Sequence, residues 1–286
     1  MQKPVIRVEG LRVRYPGAAH DAVSGIGFTV AAGEVFGLLG PNGAGKSTTV
    51  EILQGNRGRD AGEVSVLGCD PATGTRAWRS RVGIVWQDES APAELTVGET
   101  VRHFARYYPR PRDPEEVIGL VGLEAKAGSR IKALSGGQRR RLDVALGVIG
   151  GPELLLLDEP TTGFDPAARR QFWDLIRLLA DEGTTILLTT HYLEEAEALA
   201  DRLAVMAGGQ VVATGEPAAL RERHGTEATV EWTEPDGVPR AERTGTPTRT
   251  VAELMHRFDG EIPGLRVSRP TLEDVYLRLT GQEDAR

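Results

Sequence analysis

Nine consecutive residues, Gly40-Pro41-Asn42-Gly43-Ala44-Gly45-Lys46-Ser47-Thr48, follow the pattern G-x-x-x-x-G-K-[ST]. Glycines at the turning points let successive backbone N–H groups face inward around an anion, and a helix that begins where the run ends adds partial positive charge. In such a loop Lys46 reaches the β- and γ-phosphates of a nucleotide, and the hydroxyl of Ser47 ligates Mg²⁺. Farther along, Leu154-Leu155-Leu156-Leu157-Asp158-Glu159-Pro160 is an apolar run closed by two carboxylates. Beside a phosphate loop, the first acid, Asp158, holds Mg²⁺, and the second, Glu159, can take a proton from an attacking water. The chemistry implied is hydrolysis of a nucleoside triphosphate.

Both motifs need strands to carry them. Val35 to Leu39 is a β-rich run that ends in the glycine turn, and Lys46 to Leu53 reads as a helix closed by Gly55. Ahead of them, Val5 to Val8, Leu11 to Tyr15 and Phe28 to Val30 alternate with glycine turns, as in a strand-rich edge. From about 91 to 150 strand signals give way to helix-like pieces around Val97 to Tyr108 and Pro114 to Val121, which predicts an all-helical insertion. Strands resume at Leu154 to Leu157 and Thr184 to Thr189, separated by a helix at about Pro166 to Glu182, the order of a parallel βαβ unit. Leu203 to Met206 and Gln210 to Thr214 flank Gly208-Gly209 and read as a hairpin.

After Pro217 the texture changes, which predicts a boundary near 220. Residues 234–250 are dense in turn formers and charge and read as a loop or linker. A last helix begins at Thr271, whose hydroxyl can cap it while Asp274 sits three residues on; Leu272, Val275, Tyr276 and Leu279 share one face and need a packing partner. No internal repeat of the 20–50-residue class is evident.

Composition narrows the class. Hydrophobic residues make 40% and charged residues 26% of 286, which predicts a folded globular chain. No apolar run approaches the roughly 18 residues of a membrane-spanning helix, and the first residues lack the pattern of a secretory signal, so a cytosolic chain is expected. A net charge of −7 argues against a nucleic-acid partner. Arg139-Arg140-Arg141 reads as the solvated face of a helix. The single cysteine, Cys69, excludes an internal disulfide and is expected as a small buried filler.

Leu134-Ser135-Gly136-Gly137-Gln138 resembles the signature of the ATP-binding cassette family. Ser135 and Gly137 lie at a predicted helix N-terminus, where a hydroxyl and close backbone N–H groups suit a phosphate. Twenty-three residues separate Ser135 from Asp158, matching the family layout. The resemblance implies that ATP and Mg²⁺ are bound, and that residues 135–138 contact the γ-phosphate held by an opposite subunit. Gln87, after the predicted strand Val82 to Trp86, resembles the glutamine-loop residue that senses Mg²⁺ and the nucleophilic water. His191 is similar to the switch histidine that touches the γ-phosphate. Asp165, in Thr162-Gly163-Phe164-Asp165-Pro166, resembles the loop crossing the dimer interface, with Phe164 where leucine is frequent. Tyr15 resembles the aromatic stacked on adenine, worth about 1 kcal/mol by analogy with aromatic pairs.

The resemblance covers about residues 5 to 220. It implies an α/β fold: a P-loop nucleotidase core with a mixed, mainly parallel sheet, an antiparallel β edge subdomain and the helical insertion. An ATP-binding domain at 1–220 would be followed by a small α+β appendage at 221–286. Two head-to-tail copies would share each ATP, and the permease would be a separate transmembrane polypeptide, with this chain at the cytoplasmic face of the membrane. His191-Tyr192-Leu193-Glu194-Glu195-Ala196 and the ending Pro270-Thr271-Leu272-Glu273-Asp274-Val275-Tyr276 resemble daunorubicin-resistance-type ATPases, a branch that exports drugs, lipids or polysaccharides. The alternative is a soluble cassette ATPase acting on nucleic acid or ribosomes. The tail regulates, adds to a dimer interface, or covers apolar surface.

Overall fold

The computed structural model describes residues 3–86, 94–224 and 227–280. Its opening strands are β1 (Ile6–Val13), β2 (Val23–Val30) and β3 (Val35–Leu39), followed by helix α1 (Lys46–Leu53), strand β4 (Ala61–Val66), the single-turn α2 (Arg76–Arg79) and β5 (Val82–Val85). β1 pairs antiparallel with β2 and β4 in a three-stranded sheet. The two N-terminal runs therefore merge into one strand, because Gly10 is a bulge inside β1 rather than a turn: the register shifts there against both neighbours. β4 carries no sequence signal because its first half, Ala61-Gly62-Glu63, is exposed. Gly62 is also constrained: at φ 95° its backbone approaches Gly10 so closely that an added Cβ would lie 2.5 Å from the Gly10 carbonyl oxygen.

The helical stretch comprises α3 (Val97–Ala105), α4 (Pro114–Leu120) and α5 (Gly136–Val148), with short 3₁₀ turns between them and no strand among described residues 94–150. Each helix start is chemically marked. Thr96 and Glu99 form a reciprocal capping box on α3, Asp113 caps α4 ahead of Pro114, and Ser135 and Gln138 form a second capping box on α5. The apolar faces of α3 to α5 join the core with Leu155, Leu157 and Phe172.

The large sheet is then completed by β6 (Leu154–Asp158), α6 (Pro166–Asp181), β7 (Thr185–Thr190), α7 (Leu193–Leu199), β8 (Arg202–Ala207) and β9 (Gln210–Gly215). Strand order is β5-β6-β7-β3-β8-β9, and the pairs β5/β6, β6/β7, β7/β3 and β3/β8 are parallel. Every residue of β3, β6 and β7 is buried, as a parallel sheet covered on both faces requires. Parallel pairing brings the carboxyl ends of β3, β6 and β7 to one edge, with Leu39 opposite Thr190 and Asp158 opposite Thr189. Open α/β sheets place their ligand sites at such an edge.

The chain divides into two compact units after Thr214 rather than near 220, because α8 (Pro217–His224) packs within the second unit on the last helix. That unit adds β10 (Ala228–Thr233), β11 (Pro239–Thr244), α9 (Pro247–Arg257), β12 (Arg266–Ser268) and α10 (Leu272–Thr280). Its sheet runs β11-β10-β12, all antiparallel, and Val230, Trp232, Leu254 and Ile262 form its small core. The stretch read as a linker, 234–250, instead holds the hairpin turn, all of β11 and the start of α9. No residue of β11 is buried, so the strand has no apolar alternation and exists through its pairing with β10. Thr271 and Asp274 form the expected reciprocal cap, Leu272 and Val275 are buried, and α10 packs on α8. Cys69 is exposed, not a filler: it lies in the tight turn where its backbone exchanges both hydrogen bonds with Val66. No helix among the described residues is long and apolar enough to cross a membrane.

Candidate active site

Gly45 adopts φ 97° at the start of α1, which turns the chain so that the first N–H groups of the helix face the loop. Those groups have no intrahelical acceptor and are free for an anion. The position admits only glycine, since a Cβ would sit 2.4 Å from the Ala22 carbonyl oxygen. We expect Gly45→Ala to cost about 1–3 kcal/mol in backbone strain alone. Thermal unfolding with and without ATP tests this: wild-type melting in both conditions would show that the loop has room after all.

Lys46, the first residue of α1, is buried, and its Nζ donates to the carbonyl oxygens of Gly40 at 2.8 Å and Pro41 at 3.2 Å. It also lies 3.2 Å from Glu159 Oε1. Ser47 Oγ is 3.3 Å from Asp158 Oδ1, so the two groups read as Mg²⁺ ligands do meet. Thr48 Oγ1 is 3.0 Å from the phenol oxygen of Tyr15, which stands beyond the end of β1. The Arg57 guanidinium lies over the Tyr15 ring at 4.5 Å, occupying one face of the aromatic. Tyr15, Asn42, Gly43, Gly45, Lys46, Ser47, Thr48 and Glu159 line, with Ala22, one cleft of about 440 Å³, the size of a small-ligand site.

Glu159 is held in a left-handed backbone conformation, φ 44°, uncommon for a residue with a side chain. Its N–H donates to Thr189 Oγ1 at 3.0 Å, and that hydroxyl donates to Asp158 Oδ1 at 2.5 Å. His191 Nδ1 is 3.2 Å from Glu159 Oε2, off the line of a hydrogen bond, and its ring leans on Tyr192 with centroids 4.0 Å apart. Lys46, Asp158, Glu159 and His191 therefore converge from three loops at the carboxyl edge of the sheet. Gln87 lies outside the described residues.

The signature stretch is elsewhere. Ser135 Oγ accepts from the Gln138 N–H at 3.3 Å and Gln138 Oε1 accepts from the Ser135 N–H at 3.1 Å, so the Gln138 side chain is spent on the cap. Ser135 and Gly136 are exposed, and none of residues 135–138 lines the cleft. Asp165 caps α6, accepting from the N–H groups of Ala167 and Ala168, each at 2.9 Å. Phe164 packs edge-on against Phe172, ring centroids 5.8 Å apart.

Two groups escaped the sequence reading. Arg140, taken there as solvated, is 7% exposed, and its guanidinium donates to the backbone carbonyls of Asp158 at 3.0 Å, Pro160 at 2.9 Å and Trp86. Burial pushes this guanidinium down from its ordinary value, against the pull of Asp143, Asp158 and Glu195. The sequence offers only part of the signal: Val144 and Val148, at i+4 and i+8, place Arg140 on an apolar side of the helix, but the carbonyls that accept its charge belong to other segments. Glu195 is fully buried, and desolvation pushes its carboxyl up, opposed by the hydroxyls and indole around it, of which Trp173 Nε1 donates to Glu195 Oε1 at 3.3 Å.

A doubly covered parallel sheet, a glycine loop opening a helix at its carboxyl edge, and paired carboxylates on the adjacent strand define a phosphate-loop nucleotide hydrolase. A sequence model described as ABC transporter matches residues 23–162. The Nod factor export ATP-binding protein I of Rhizobium sp. (strain N33) is 41% identical over 308 residues, covering 99% of each chain. Among solved structures, cbiO1 of Clostridium perfringens, described as part of the ABC transporter complex cbiONQ, superposes with TM-score 0.69 at 28% identity over 77% of this chain and 91% of that one. The cassette MJ0796, described as dimeric in a post-hydrolysis state with ADP and Pi, shares the fold at TM-score 0.66 and 22% identity, covering 74% of this chain and 98% of that one. The chain belongs to the ABC transporter family and is one of its ATPases.

Proposed function

We propose that this chain is the ATP-hydrolysing subunit that powers a membrane exporter, closing as a dimer on ATP and reopening after hydrolysis. One observation carries the reading. The cleft that gathers Lys46, Ser47 and Glu159 contains none of Ser135 to Gln138, so a phosphate between both sets needs a second copy. Each copy then contributes Gly40 to Thr48, Asp158, Glu159, Gln87 and His191 to one site, and Ser135 and Gly137 to the other. Asp165 lies in the loop between the two copies, and Tyr15 offers its ring face opposite Arg57 to adenine. Among the described residues no group of three or more His, Cys, Asp or Glu could hold a metal alone. Ser47 and Asp158 instead suit Mg²⁺, which takes one or two protein oxygens and completes its shell with phosphates and water. When bound, Mg²⁺ neutralises charge developing on the phosphates.

Glu159 accepts the proton of the attacking water, with His191 beside it and Lys46 holding the phosphate. The differential affinity of ATP for the closed dimer supplies the work. The export direction draws on the Rhizobium relative, which is named for export of Nod factor rather than of drugs. The chain would work at the cytoplasmic face of the membrane, on a permease formed by another polypeptide, with the helical insertion at about 91 to 150 carrying the docking surface.

Steady-state ATP turnover of the purified full chain tests the reading. Stimulation by a co-purified integral membrane protein, with no response to RNA or DNA, is expected. Salt-sensitive stimulation by RNA or DNA would instead support the soluble alternative.

A further inference from the structure

Glu159 has a backbone that needs holding. A non-glycine residue at φ 44° stays there only when its surroundings over-determine it. Its own N–H is held by Thr189. A single side chain brackets the Glu159–Pro160 dipeptide: Arg140 donates to the carbonyl of Asp158, in the peptide plane that leads into Glu159, and to that of Pro160, in the plane that leaves the dipeptide. A third donation, to the Trp86 carbonyl, anchors the same guanidinium at the end of β5. The planar fork of arginine, with five N–H donors in fixed directions, can span several acceptors at once; a lysine ammonium is a flexible point charge.

We propose that Arg140 is a positioning residue for hydrolysis: it locks the left-handed backbone of Glu159 so that its carboxylate faces the phosphate loop and the switch histidine. In this backbone conformation the carboxylate stands 3.2 Å from Lys46 Nζ and 3.2 Å from His191 Nδ1. Relaxation of Glu159 to an ordinary φ rotates the side chain away from both, and misplacing a reacting group by about 1 Å costs on the order of 10²-fold in rate. The lock has a second consequence. Arg140 lies in α5, five residues from the Ser135 that caps the helix, so one rigid element joins the signature end to the backbone of the catalytic base. Any shift of α5 on engaging the partner's phosphate is passed to Glu159 without crossing a loop.

The proposal rests on Glu159 being the base. Arg140→Met, Arg140→Lys and Glu159→Gln are compared in the full chain at a temperature well below unfolding, with active sites counted by nucleotide titration. Arg140→Met is expected to lower kcat by about 10- to 100-fold while KM and nucleotide affinity stay within about threefold of wild type, since Arg140 does not line the cleft. Arg140→Lys is expected to recover part of the loss, and it alone decides if the methionine variant does not fold. A role confined to stability would lower the melting temperature and leave kcat per active site intact. Wild-type kcat in the Arg140 variants alongside an inactive Glu159→Gln overturns the positioning role alone. Wild-type turnover in Glu159→Gln overturns the base assignment and this inference with it.

Discussion

Glu159→Gln is expected to lower kcat by about three orders of magnitude, within the usual range for loss of a positioned general base, while ATP binding survives. The carboxylate is nearly enclosed, 9% exposed, and faces Lys46 and His191, so it can reach a water only on the phosphate side of the cleft. An amide keeps the shape and cannot take the proton. It also removes a negative charge 3.2 Å from Lys46 Nζ, which frees that ammonium of its competing anion, so affinity rises rather than falls. Slow hydrolysis with intact binding traps the closed state, and size exclusion should show a dimer with ATP and a monomer without it. Normal turnover in this variant would remove Glu159 from the mechanism.

Lys46→Met separates binding from chemistry. Methionine fills the aliphatic volume of the buried stem, but the loop loses its cation, and charge-assisted hydrogen bonds of this kind are worth roughly 1.5–3 kcal/mol each. ATP affinity should drop by about 100-fold. The removal also leaves Glu159 facing the incoming phosphates uncompensated, which adds to the loss in the same direction. A fluorescent nucleotide titration reads the change directly, and an unchanged dissociation constant would show that the backbone cradle carries the affinity by itself. The two substitutions move binding in opposite directions although they break the same ion pair, which no account based on general destabilisation reproduces.

The sequence determined by itself whatever rests on short-range pattern. The spacing of Gly40, Gly45 and Lys46, the unbroken apolar run of β6 ended by acids, and the caps Ser135 and Thr271 act within one or two turns of chain. They are legible because a loop, a buried strand and a helix start each impose their own local chemistry. The order of strands along the chain likewise announced a parallel sheet, whose carboxyl edge brings Asp158 and His191 to the phosphate loop.

Tertiary structure alone decided what depends on a distant partner. β4 and β11 present few or no buried residues, so neither carries an alternation; each exists because another strand offers it a ladder of hydrogen bonds. Arg140 is the sharpest case. Three consecutive arginines have one composition, yet helical geometry turns the middle one onto the apolar face of α5, where its charge is tolerable only because backbone carbonyls around Glu159 receive it. Which side chain of a charged run goes inward is set by the surface waiting for it, and that surface is assembled from strands far away in sequence.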